Sequence, residues 1–255
     1  MRGWVRFMPL ALMGMGVGLA GCGGLPAEEA ALSALGPGRP IVATSVQWMG
    51  GYANWRAVRG VRALALVTAY ENGGPAYTNM ESLTIDLAGG TISAAAGTGQ
   101  GAWAATTRRA GRCELRGNGF RPTEQMEGQV CDGLRTILER SAGPLNLLRR
   151  PPEVRAVEPA RFGGQDLVRL IVRESPSQDV SYYFAPVTGE LRFVVTEPRG
   201  ATGTVTRYTW QMLPVGLAFP LRIQVTQAGQ AAPIGETPLL DVQFQRVRIE
   251  QDPWR

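Results

Sequence analysis

Between residues 153 and 250 the chain divides into seven short segments, each bounded by turn residues, and this cadence leaves few folds open. Residues 153–162, 166–174, 179–184 and 191–197 are separated by Gly163-Gly164, Ser175-Pro176-Ser177 and Thr188-Gly189; residues 203–212, 219–227 and 239–250 follow. Glycine tolerates positive φ and proline lacks an N–H donor, so both interrupt regular elements. Strands at such short spacing predict an antiparallel meander. In the last segment Val242 and Phe244 keep one parity and Val247 and Ile249 the other, which predicts a bulge or change of face near Gln245.

The first half of the chain adds more strands and two helical patterns. VRALALVTAYE (61–71) and TNMESLTIDL (78–87) alternate as strands around the turn Asn72-Gly73-Gly74-Pro75, and residues 101–108 and 112–116 read as a hairpin about Ala110-Gly111. From 123 to 141, Met126, Val130, Leu134, Ile137 and Leu138 recur every three or four residues, with Thr123 as N-cap and Glu124 and Glu127 in the first turn. A weaker helical pattern over 45–59 is interrupted by Gly50-Gly51. No repeat or linker divides residues 45–250, so the expected class is α+β, mainly β, in one domain from 43 to 255.

The amino terminus reads as an address. Arg2 and Arg6 precede an uncharged, mostly apolar stretch over 7–20, which is shorter than the ~20 residues that a spanning helix requires. It ends in Leu19-Ala20-Gly21-Cys22. This run resembles the lipobox of bacterial lipoproteins, which implies cleavage before Cys22, acylation of that residue, and a signal peptide over 1–21. An ordinary secretory signal that happens to contain a cysteine is the alternative. Gly23 lacks the aspartate that resembles an inner-membrane retention signal, so the expected location is the cell envelope, lipid-anchored through Cys22 at the outer membrane and facing the periplasm. Residues 22–42 are small and Pro/Gly-punctuated and read as a lipidated tether.

Charge and composition narrow the chemistry. The chain has no histidine and no lysine, so all 26 basic residues are arginine. A histidine base, a histidine metal ligand and a Schiff-base or phosphate-loop lysine are therefore excluded. Loss of Arg2 and Arg6 lowers the formal charge from +5 to +3, and the remaining arginines are interleaved with acids, which argues against nucleic acid. Gly97-Thr98-Gly99-Gln100-Gly101 reads as a turn, and no constellation of acids suggests catalysis. The expectation is no enzyme, no metal and no cofactor.

With Cys22 taken by lipid, Cys113 and Cys131 form an even pair in an oxidising compartment and are expected to bridge; two buried free thiols are the alternative. Leu145, Leu147 and Leu148 beside Arg149 and Arg150 form a candidate membrane-contact loop, or else the buried end of a helix with a solvated basic cap. Trp103, Trp210 and Phe219 read as core.

A lipoprotein signal, an amino-terminal helix, a central helix and a long strand meander resemble the LolA/LolB-like superfamily of bacterial lipoprotein carriers and lipid-binding lipoproteins. The likeness is closest in SYYFAPVTGELRFVV, TRYTWQMLPVGLAFPLRIQV and LLDVQFQRVRIE. It implies a curved antiparallel sheet or incompletely closed β-barrel, helices covering the open face, and an apolar cavity that takes a lipid or acylated ligand. A structural or assembly lipoprotein that binds an envelope protein partner is the other expectation.

Overall fold

A computed structural model describes residues 28–87, 89–108, 111–176, 178–198, 203–228 and 237–251. The lipobox residues Leu19, Ala20, Gly21 and Cys22, with the whole signal segment, lie outside the described residues. Three helices come first: α1 (Glu28–Ala34), α2 (Arg39–Trp48) and α3 (Tyr52–Arg56), with a 3-10 turn at Gly36–Gly38 between the first two. Five strands follow, β1 (Val58–Glu71), β2 (Gly74–Asp86), β3 (Thr91–Ala96), β4 (Trp103–Arg108) and β5 (Cys113–Gly117). Then come α4 (Glu124–Ser141) and α5 (Leu145–Arg149). The chain continues through β6 (Glu153–Phe162), β7 (Gln165–Ser175), β8 (Gln178–Phe184), β9 (Leu191–Pro198), β10 (Gly203–Met212), β11 (Ala218–Ala228) and β12 (Thr237–Gln251).

All twelve strands form one antiparallel sheet in the order β5-β4-β3-β2-β1-β12-β11-β10-β9-β8-β7-β6. Two meanders are thus fused where β1 pairs with β12. The sheet does not close: β5 and β6 are its two edges. The predicted irregularity near Gln245 is present, since Leu64 faces Arg246 while Ala65 faces Phe244, leaving Gln245 unpaired opposite β1. Strand β3 is an addition to the sequence reading. Its TISAAA run carries little strand propensity and is held by Leu83, Ile85 and Glu81 of β2 on one side and β4 on the other.

One core lies between the helices and one sheet face, and it takes in Val42 of α2 with Leu35 and Met49 at the ends of the amino-terminal helices, Leu134 and Leu138 from α4, and Val61, Ile85, Phe219 and Phe244 from strands. The longest helix, α4, packs on β3, β4 and β5 and also reaches β11. Its amino end is capped as expected, with the Thr123 hydroxyl accepting from the Met126 amide at 3.2 Å. A smaller apolar cluster of Phe162, Leu167, Tyr183, Phe193, Val195 and Val205 forms separately.

Two expectations are corrected. The stretch read as a tether is helical from Glu28 onward, and Leu35 and Val42 are fully buried, so within residues 28–42 the chain belongs to the packed domain. Sparse large residues concealed this, because each of the few present is used for packing. The helix expected over 45–59 is in fact α2 and α3, divided where Gly50 and Gly51 take φ values of 104° and 85°.

Candidate functional site

On β2 the period of two that buries Leu83 and Ile85 also turns Glu81, Asn79 and Tyr77 toward the helix-covered face. Glu81 stands in register between Ala65 of β1 and Ala96 of β3, and Ala96 in turn faces Trp103 of β4. Two alanines flanking a glutamate leave space that larger side chains would fill. The Tyr77 phenol occupies part of it and donates a short hydrogen bond to Glu81 Oε1. The Tyr77 and Trp103 rings lie 6.3 Å apart, and the Trp103 indole N–H is buried without a hydrogen-bond partner.

Burial dominates the electrostatics of this cluster. Glu81 is only 2 % exposed, and loss of hydration pushes its carboxyl up to about 7, against the opposing effect of the Tyr77 hydrogen bond. Desolvation, then the neighbouring Glu81, holds the Tyr77 phenol protonated far above the ordinary tyrosine range. Tyr77 and Trp103 line a cavity of about 590 Å³ between the amino-terminal end of α4 and strands β2 to β4. Ala76, Ala96 and Met126 add apolar wall, while Glu71, Asn79, Gln125 and Gln129 add polar groups. The Glu71 carboxylate accepts from the Gln125 and Gln129 side-chain amides at 3.0 and 3.1 Å, which ties α4 to the end of β1. The cavity is therefore amphipathic, where the resemblance implied an apolar one.

The sequence-predicted residues fall elsewhere. Cys113 on β5 and Cys131 on α4 are joined as a disulfide with Cα atoms 5.8 Å apart, at the edge of the sheet opposite β6. Leu145, Leu147 and Leu148 are buried in α5 at 1 %, 2 % and 0 % exposure, so they are core and not a membrane-contact loop. Packing in the core already removes all three from water, leaving them no apolar surface to offer a bilayer. Arg150 is exposed and Arg149 half-buried, and both line a separate cleft. Phe219 is core as read, whereas Trp103 is both core and cavity wall. Tyr77 and Glu81 were missed, although a signal was present: extending the Leu83–Ile85 parity backwards places a glutamate on the apolar face of a strand. Among the described residues no three acids or cysteines converge as a metal site, and no helix is long and apolar enough to cross a membrane.

No family model matches the chain, and no curated protein matches it. Among solved structures it is similar to a LolA superfamily protein from Nitrosomonas europaea, with a TM-score of 0.49 and 9 % identity over 89 % of this chain and 96 % of that one.

Proposed function

We propose that this chain is a lipid-anchored protein of the bacterial envelope that binds a lipid or acylated ligand without catalysing a reaction on it. The observation that carries the reading is the cavity of about 590 Å³ beneath α4. Its volume falls in the ~300–1,000 Å³ range of small-ligand sites, and its lining joins an apolar wall to a few convergent polar groups. Ala76, Ala96, Trp103 and Met126 suit an alkyl segment, while Asn79, Gln125 and Gln129 can meet a polar head. The Leu19-Ala20-Gly21-Cys22 run supports acylation at Cys22, and Gly23 in place of an aspartate supports anchorage at the outer membrane facing the periplasm.

The test compares native and denatured masses of the full chain extracted from membranes in mild detergent, with any adduct identified after organic extraction. A lipid or acylated peptide at near-unit ratio, lost in Trp103→Ala, supports the reading. An empty chain that co-elutes with one envelope protein sinks it in favour of a partner-binding lipoprotein. Among the described residues β5 and β6 are the edges of the sheet, and an edge that takes an added strand is what favours that second reading.

A further inference from the structure

At the carboxyl end of α4, some 27 Å of helix away from the first cavity, a second cleft of about 400 Å³ opens between α4–α5 and strands β7 and β8. Four arginines line it: Arg140, Arg149, Arg150 and Arg173. Only two acids, Glu139 and Glu174, line it with them. We infer that this cleft is an anion site that takes a phosphate group, either free or as part of a lipid headgroup. The inference goes beyond the ligand reading above and does not depend on it.

The arginines here differ from the paired ones elsewhere. Eight others, among them Arg39, Arg62, Arg192 and Arg222, reach a carboxylate within 3.3 Å. Among the described residues Arg140 and Arg150 form no ion pair, and Arg173 has only long contacts, 3.7 Å to Glu153 and 4.0 Å to Asp179. The Nε–H groups of Arg140 and Arg173 are buried with no hydrogen-bond partner, a feature shared with the paired Arg192, and it is the Arg173 Nε that stands 4.0 Å from Asp179. An arginine without a carboxylate partner is costly to bury, and a tetrahedral oxyanion in the cleft can accept from guanidinium groups of more than one of the arginines that line it. The Arg140 Nη2 otherwise donates only a long 3.4 Å bond to the Thr196 hydroxyl, so the guanidinium is not held by a stronger partner.

Two further features fit a phosphate ester. The Tyr182 phenol lines the same cleft, and burial pushes it up to about 12, so it remains a neutral donor. Pro151 and Val172 form an uncharged wall beside the arginines, suited to the organic part of an ester. The carboxyl end of α4 opposes an anion, but that helix-end effect is weaker than one charge-assisted hydrogen bond, and four guanidinium groups offer several.

The experiment titrates the full chain in non-ionic detergent with sodium phosphate at constant ionic strength, and separately with phosphatidylglycerol in the same micelles, reading heat of binding. The expected result is saturable binding that weakens about tenfold or more in both Arg140→Gln and Arg150→Gln and is unchanged in the distant control Arg116→Gln. Arg140→Lys keeps the charge but lacks the Nε–H, and is expected to fall between. Binding of both probes assigns a general phosphate site; binding of phosphatidylglycerol alone, with the same losses, assigns a headgroup site. If Arg140→Gln does not fold, the exposed Arg150 carries the test. No binding of either probe, or binding that survives in the variants, overturns the inference.

Discussion

The Tyr77 hydroxyl donates to the Glu81 carboxylate four residues away on the same face of β2, so the phenol runs along the strand over Asn79. Two ionisable groups are thereby buried side by side with small neighbours: desolvation raises both, Glu81 raises the Tyr77 phenol further, and the Tyr77 hydrogen bond opposes the rise at Glu81. Such a pair stores a pH response in an otherwise apolar core.

Glu81 binds its proton more tightly folded than unfolded, so native stability is highest below the ordinary glutamate value of 4.5 and declines until the folded value of about 7 is passed. Over that window the loss is about 3 kcal/mol at ~1.36 kcal/mol per pH unit. Glu81→Gln is expected to flatten the decline and to stabilise the protein at pH 8. Denaturant unfolding from pH 4 to 8 measures both; an unchanged slope in the variant would show that Glu81 is ionised in the fold.

The Cys113–Cys131 bridge closes a loop with a sequence separation of 18. Chain-entropy arithmetic gives about 3 kcal/mol for a loop of that size. Reductant, or Cys113→Ser with Cys131→Ser, is expected to lower the melting temperature by about 10 °C. Equal melting with and without reductant would contradict the bridge.

Gly189, at φ 71° in the turn between β8 and β9, carries the next prediction. A Cβ there would stand 2.6 Å from the Ser45 amide nitrogen of α2, which cannot move without shifting the helix. Gly189→Ala combines this clash with left-handed strain and is expected to cost about 2–4 kcal/mol. Thermal melting reads the loss, and a wild-type melting point would mean that α2 does not seat on this turn.

Acylation at Cys22 predicts that Cys22→Ser moves the protein from the detergent phase to the aqueous phase. Detergent-phase partitioning that persists in the variant would remove the anchor from the proposal.

Much of this protein was legible from local chemistry. The turn residues between 153 and 250, the capped helix from Thr123, the parity switch at Gln245 and the Cys113–Cys131 pair all depend on neighbours in sequence or on compartment, and each matches the structure. What the sequence could not express was which local pattern would be overruled by distant contacts. The alanines of β3 make a strand only because β2 and β4 supply the hydrogen bonds. Leu145, Leu147 and Leu148 are core only because α1, from more than a hundred residues earlier, packs against α5 and joins them to the main cluster. The arginine cleft and the Tyr77–Glu81 pocket at the two ends of α4 likewise exist only once that helix is laid across the sheet. Periodicity and turn propensity act over a few residues, so they determined the elements; burial depends on what arrives from far along the chain, so the tertiary structure alone decided the sites.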